Sequence, residues 1–344
     1  FRDNVTVGAG DTASTFDANV TLDGLTYASD VATTFGNAGT DTLTLSTAAV
    51  TIQTTGVGDT LTVNAASDGG VDLILDAADA TSFTAAVGGT TPIGDGVGAA
   101  VTVNSTGTTE FQSTVATASG LTQANGAGAI TFRDNVTVAA GDTATTFNAD
   151  VTLDGLTFDA QAAVTFGDAG TDTLTTSTAL ATVDTVTNNN AVTVNAGVSL
   201  TSALTVSAGS GLVTMNGTVD GASALTLNTT GTSDINGVIG GTTPVASVTT
   251  NAGGTTEIGA SISSDTGDQS YNDAVSVVAA VTLTGTSGSG VTFNSTVDGA
   301  NNLTLAAAGA TTFVGVVGGG TPVGSGVGAA VTVNSTGTTE FQST

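Results

Sequence analysis

Residues 291–324 read VTFNSTVDGANNLTLAAAGATTFVGVVGGGTPVG. Within this stretch, runs such as VTF and LTL alternate apolar with polar residues, which is the two-residue period of a β-strand. Valine and threonine favour strands because their branched side chains suit a pleated surface. The pair Asp298-Gly299 separates two such runs, and glycine supplies the positive φ that tight turns require. The stretch therefore predicts short strands joined by tight turns.

The same alternation continues along the whole chain, for example in LTLST at 43–47 and VTVNSTG at 101–107. No sustained helical period interrupts it. The chain has 48 glycines, but 39% of its residues are hydrophobic, which is more than a disordered chain of this polar character would carry. The sequence therefore predicts an all-β protein.

Two blocks of sequence recur within the chain. FRDNVTVGAGDTASTFDANVTLDGLTY at 1–27 returns with few changes at 132–158, as FRDNVTVAAGDTATTFNADVTLDGLTF. GVGAAVTVNSTGTTEFQST at 96–114 returns unchanged at 326–344. Internal repetition of this kind is typical of solenoids, in which each repeat packs only on its neighbours.

A shorter unit underlies both blocks and is marked by an aromatic residue that closes a short polar-apolar run. Met215, Ile235, Ile258 and Tyr271 fill the same slot in the middle of the chain. The spacing between markers varies around roughly 20 residues. This spacing predicts a parallel β-solenoid (β-helix) in which each coil contains roughly 20 residues. Stacked coils would place the slot in one inward ladder, at about 4.8 Å per coil. The aromatic markers are Phe1, Phe16, Phe35, Phe83, Phe111, Phe132, Phe147, Phe166, Phe293, Phe313 and Phe341.

Each of the three prolines, Pro92, Pro244 and Pro322, follows a marker at the same distance. Proline cannot donate to a strand ladder, so each is predicted to lie in a corner or loop. Nothing in the composition indicates a linker. We expect one continuous solenoid over 1–344, with sub-blocks at 1–131, 132–190, 191–290 and 291–344.

The stretch at 291–324 resembles the β-strand repeats of giant bacterial surface proteins, the filamentous-haemagglutinin-like adhesin arrays. The resemblance implies a right-handed parallel β-helix in a secreted, extracellular protein. It also implies a structural or adhesive role in a cell-surface fibre, filament or matrix. The expected partners are the protein itself, end to end in a homopolymer or as the continuation of a longer chain, and glycans of host or neighbouring cells.

Composition removes several classes of function. The net charge is −27, and the only basic side chains are Arg2 and Arg133. Nucleic-acid binding is not expected, because it requires basic residues that displace counterions. Membrane insertion is not expected either, since no apolar run approaches the roughly 20 residues that span a bilayer. The chain has no His, Cys or Lys for acid–base chemistry, covalent catalysis or zinc binding.

Calcium is the one cofactor that the sequence leaves open. GNAGTDTLT at 36–44 and GDAGTDTLT at 167–175 resemble the nonapeptide of RTX proteins, in which Asp carboxylates and backbone carbonyls bind Ca²⁺. Asp41 and Asp172 are the candidate ligands, with Asp168 beside them. The alternative interpretation is a turn before a strand, because each string stands alone. A calcium-binding surface or S-layer-type protein is therefore an alternative function.

Two further functions are weighed as alternatives. A polysaccharide-degrading β-helix enzyme would need a unique pair of carboxylates, but Glu110, Glu257 and Glu340 all occupy one repeat position, so we expect no enzyme. Ice binding would need flat rows of outward threonines. Thr42 with Thr44, and Thr102 with Ser105, match that pattern only in part.

Overall fold

The computed structural model describes residues 1–10 and 12–343. These residues form short parallel β-strands, numbered β1 to β42 below, and contain no helix. The strands make about 14 coils of roughly 22 residues, so the predicted all-β parallel solenoid is confirmed, with a slightly longer coil than expected. The chain divides into two compact units, residues 1–174 and 175–344.

The strands of the first unit are short and begin at Val5. They are β1 (Val5–Val7), β2 (Ser14–Phe16), β3 (Val20–Asp23), β4 (Thr26–Ser29), β5 (Thr33–Phe35), β6 (Thr42–Ser46), β7 (Val50–Thr54), β8 (Leu61–Val63), β9 (Ala66–Asp68), β10 (Leu73–Ala77), β11 (Thr81–Phe83), β12 (Val101–Val103), β13 (Thr109–Phe111), β14 (Val115–Thr117), β15 (Leu121–Gln123), β16 (Ile130–Phe132), β17 (Val136–Val138), β18 (Thr145–Phe147), β19 (Val151–Leu153), β20 (Thr157–Ala160) and β21 (Val164–Phe166), followed by β22 (Thr173–Thr176) at the division.

Consecutive strands of the first unit join three sheets in turn, so that three strands complete one coil. The first face contains β1, β4, β7, β10, β12, β15, β18 and β21. The second contains β2, β5, β8, β11, β13, β16 and β19. The third contains β3, β6 and β9 and then β14, β17 and β20, with Val87 bridging the two groups. Most three-residue strands bury their first and last side chains and turn the middle one outward, because side chains alternate along a strand.

The second unit repeats this architecture with its own three sheets. They are β24-β27-β30-β32-β35-β38, β25-β28 joined through Ile239 to β33-β36-β39-β41, and β23-β26-β29-β31-β34-β37-β40-β42. The strand bounds are β23 (Ala181–Asp184), β24 (Val192–Val194), β25 (Gly197–Leu200), β26 (Leu204–Gly209), β27 (Val213–Met215), β28 (Val219–Asp220), β29 (Leu225–Thr229), β30 (Thr232–Ile235), β31 (Val248–Thr250), β32 (Thr255–Ile258), β33 (Ile262–Ser264), β34 (Gln269–Tyr271), β35 (Ala274–Val277), β36 (Val281–Gly285), β37 (Val291–Phe293), β38 (Val297–Asp298), β39 (Leu303–Ala307), β40 (Thr311–Phe313), β41 (Val331–Val333) and β42 (Thr339–Phe341).

Aromatic rings stack coil on coil inside both units. On the second face of the first unit, the centroid of Phe111 lies 5.1 Å from that of Phe83 and 5.3 Å from that of Phe132. In the second unit, Phe313 stacks on Phe293 at 4.9 Å. The predicted burial of Phe83, Phe111, Phe293 and Phe313 is confirmed, since each is at most 1% exposed. All three prolines lie outside the strands, as predicted.

The prediction that the markers form one ladder is wrong. Phe132 ends β16 on the second face, whereas Phe147 ends β18 on the first face. The segment between them is too short for a coil and carries the chain onto another face instead. True stacking partners are further apart along the chain, such as Phe147 with Phe166, whose centroids lie 5.3 Å apart. The core is therefore built from several separate ring stacks.

The first repeated block lies on different faces in its two copies. In the first copy, β1 and β2 lie on the first and second faces, but the corresponding strands β17 and β18 lie on the third and first faces. From β1 the chain makes five complete coils, to β15, and then passes two more faces to reach β17. The second copy is therefore rotated by one face about the solenoid axis.

Candidate functional site

The calcium candidates close their own turns. One carboxylate oxygen of Asp41 accepts the backbone N–H groups of Asn37 at 2.9 Å and Ala38 at 3.3 Å. Asp172 repeats this with Asp168 at 2.9 Å and Ala169 at 3.2 Å. A carboxylate that caps its own loop in this way stabilises a turn without any ion. The geometry therefore favours the turn interpretation for both strings.

The structure does not bring the three candidate ligands together into one cage. Asp41 precedes β6 on the third face of the first unit, and Asp172 lies at the equivalent position of the second copy, before β22. The carboxylate of Asp168 accepts a hydrogen bond from the Asn125 amide at 2.6 Å. Calcium usually takes six to eight oxygen ligands, and within 1–10 and 12–343 no group of three or more acidic side chains is arranged to hold a metal. Calcium binding stays a prediction.

Other aspartates hold neighbouring coils together at the proline loops, and sequence reasoning missed them. Asp68, Asp220 and Asp298 each end a short strand, and each accepts two backbone N–H groups from the next coil. The donors are Thr90 and Thr91 at 2.7 and 3.0 Å, Thr242 and Thr243 at 2.7 and 3.0 Å, and Gly320 and Thr321 at 2.8 and 3.1 Å. The signal was present, because each of these Asp-Gly pairs is followed by a proline at the same distance along the chain.

Arg133 links three coils on the second face of the first unit. Its Nη1 lies 2.8 Å from the carboxylate of Asp154, and its Nε donates to Glu110. The hydrogen bond from Arg133 is the largest of the effects that lower the pKa of Glu110, and that same bond raises the pKa of Arg133. In the first copy of the block, Arg2 lies 3.9 Å from Asp23 and its side chain is 91% exposed.

The carboxylates expected of a glycosidase are not gathered around a cleft. Glu110 is paired with Arg133, and Glu257 lies beside Asp234 and Ser276 in an outward row of the second unit. The larger of the two surface grooves described, about 230 Å³, is lined by residues such as Val238, Ser261 and Thr284 and by no titratable side chain. This groove offers hydroxyls but no acid or base.

Threonine rows are narrower than the sequence suggested. Thr42 and Thr44 both point outward from β6, but Ala66 and Asp68 take their places in the next coil. Ser105 was expected beside Thr102 on the surface, and this was wrong. Ser105 is buried, and its hydroxyl accepts the backbone N–H of Ala77 at 3.0 Å.

A long outward row of hydroxyls lies in the second unit and is one threonine wide. Where its strands are longer than three residues, the next outward positions hold other residues, such as Asp184 and Asn228. The row consists of Thr182, Thr205, Thr226, Thr249, Ser270, Thr292 and Thr312. A single row is less than the flat array of threonines that an ice-binding face requires. Its hydroxyls still form a regular polar strip along one sheet.

No family model, curated protein or solved structure matches this chain. Among the described residues, no helix is long and apolar enough to cross a membrane. The resemblance to adhesin arrays therefore remains an expectation from the sequence.

Proposed function

We propose that this chain is a structural repeat protein and forms part of an extracellular fibre, filament or matrix at a bacterial cell surface. The observation that carries the proposal is the rotation of the first block between its copies. The same sequence builds the first face at β1 and the third face at β17. The two copies therefore share the residues that build strands and turns of a coil, but they do not place the same outward side chains on the same face.

This rotation bears on the competing functions. An ice-binding or ligand-binding array needs the same side chains to recur on one face at each coil, but a rotated block scatters them over several faces. A structural rod has no such requirement, since each coil needs only matching inward residues and turns. The polar side chains support this role, because Asp68, Asp220 and Asp298 hold one coil to the next.

The charge and the edges of the solenoid support growth along one axis. A net charge of −27 keeps rods apart sideways through mutual repulsion. Parallel coils leave unpaired N–H and C=O groups at the open edge of each sheet, which another coil can pair. We propose that such rods continue end to end, through a longer chain or through a second copy, and that surface glycans are the adhesive partners.

Electron microscopy of the native material tests this proposal. The expected result is thin fibres with a strand repeat of about 4.8 Å along the axis. Antibodies against residues 1–344 should label intact cells without permeabilisation. Labelling only after lysis would contradict the extracellular role, and compact monodisperse particles in native material would contradict the fibre. Measurable thermal hysteresis would instead support ice binding.

A further inference from the structure

A loop at the start of the second repeated block exists in two versions, residues 94–98 and 324–328. The sequences are GDGVG and GSGVG, so Asp95 in the first unit is replaced by Ser325 in the second. The three glycines of each loop have similar positive φ angles, with 103°, 88° and 73° in the first and 115°, 77° and 78° in the second. The two loops therefore share one backbone conformation.

In the second unit, the side chain of Asn302 fastens this loop at two points. Its Oδ1 accepts the backbone N–H of Ser325 at 3.0 Å, and its Nδ2 donates to the carbonyl of Val327 at 2.9 Å. Asn302 lies just before β39, as Asp72 lies just before β10 in the first unit, and the two positions correspond in the spacing of the second repeated block. An amide is suited to this position because it both accepts and donates.

In the first unit, Asp72 occupies this position, and a carboxylate can only accept. The backbone N–H of Asp95 corresponds to that of Ser325 and interacts favourably with this carboxylate. The Oδ1 atom of Asp72 is buried and has no hydrogen-bond partner within the described ranges. A buried polar atom without a partner costs free energy. The donor that Asn302 supplies to the carbonyl of Val327 has no counterpart in a charged Asp72.

The charged groups around this site are all acidic. Asp95 lies on the loop itself, and Asp142, two coils further along the chain, accepts the backbone N–H of Gly98 at 2.8 Å. The ion pairs of Arg2 and Arg133 are made elsewhere, with Asp23 and with Glu110 and Asp154. Burial, followed by repulsion from Asp95, raises the pKa of Asp72, while the backbone N–H of Asp95 lowers it in part.

We propose that Asp72 is a proton-dependent lock on the loop at 94–98. When the carboxyl group holds its proton, its O–H donates to the carbonyl of Val97 and does the work of the Asn302 amide. When the carboxyl group loses its proton, its oxygen and the carbonyl oxygen of Val97 are both acceptors. No hydrogen bond then joins them, and the loop is held less tightly. Because the folded-state pKa is raised, this stabilisation is fully present below the ordinary carboxyl pKa and is lost as the pH rises through the folded pKa.

The test is a reciprocal exchange between the two loops, with hydrogen exchange of the backbone amides at 94–98 and 324–328 as the measurement. Between about pH 3 and pH 7, and corrected for intrinsic exchange rates, the loop at 94–98 should lose about tenfold in protection as the pH rises. The loop at 324–328 should not change. Asp72→Asn should abolish the loss, and Asn302→Asp should transfer it to the second unit. Asp76→Asn removes a charge from the outward side of β10 and should leave the loss in place.

Protection at 94–98 that does not vary with pH, or varies equally in Asp72→Asn, would overturn the proposal. A parallel experiment with Ca²⁺ distinguishes a proton bound at Asp72 from a metal cation bound there. If Ca²⁺ at pH 7 restored protection to the wild-type loop but not to Asp72→Asn, a bound cation would be the natural occupant and the proton lock would be wrong. If Ca²⁺ has no effect, the proton lock is supported by two results together. They are the loss of protection at 94–98 as the pH rises, and the appearance of the same loss at 324–328 in Asn302→Asp.

Discussion

The segments 1–35 and 132–166 are identical at 25 of 35 positions but occupy different positions in the solenoid. Five strands lie in each segment, β1–β5 and β17–β21, yet every strand of the second segment lies one face away from its counterpart. The comparison separates two kinds of information. Local sequence decides that a segment becomes a strand with a given inward side, and the number of faces already passed decides which sheet that strand joins.

The largest difference between the copies should come from their first aromatic residues. Phe132 is fully buried between Phe111 and other rings, whereas Phe1 is 47% exposed. We expect Phe132→Ala to lower the free energy of unfolding by about 3–5 kcal/mol through loss of burial and creation of a cavity. Phe1→Ala, the matched control, should cost less than half of that. Chemical denaturation measures both. Equal losses would mean that the two copies have the same environment.

The turn aspartates should behave alike in both copies despite their different faces. Asp41→Ala and Asp172→Ala each remove an acceptor for two backbone N–H groups. We expect each to cost about 1 kcal/mol, while Asp41→Asn and Asp172→Asn, which keep an acceptor oxygen, cost less. Thermal melting with calcium or with a chelator should give the same result for the wild-type chain. A large calcium-dependent shift lost in both Ala variants would restore the calcium interpretation.

A smaller difference is expected between the two arginines. Arg133→Ala removes a partly exposed pair of contacts and should cost about 0.5–1 kcal/mol, less at high salt, whereas Arg2→Ala should have no measurable effect. Because Arg133 lowers the pKa of Glu110, this stabilisation is present above the ordinary carboxyl pKa and is lost as the pH falls through the folded pKa. In Arg133→Ala, the free energy of unfolding should therefore fall less as the pH is lowered through the acidic range. An unchanged dependence of stability on pH would contradict the pairing.

The sequence was sufficient to predict strands, turns, parallel coils and the burial of Phe83, Phe111, Phe293 and Phe313, although the marker rings Phe1 and Phe341 are about half exposed. It was not sufficient to assign faces, because three similar strands make up each coil and a marker can end any of them. The loop around Val87 illustrates the difficulty, since one bridging residue takes the place of a strand there. Counting markers therefore gives the wrong face. The partners of Asp72 were also hidden, because they depend on which turns lie side by side.

Crosslinking of introduced cysteines tests the rotated repeat most directly, since the chain has no native cysteine. Thr146 lies beside Thr122 on the first face, one coil away, whereas Thr131 lies on the second face. The rotated arrangement predicts that a short bifunctional thiol reagent joins T122C to T146C rapidly and does not join T131C to T146C. If the markers instead formed one ladder, Phe132 and Phe147 would stack in successive coils, and T131C and T146C would be neighbours. Crosslinking of that pair, with none between T122C and T146C, would contradict the account.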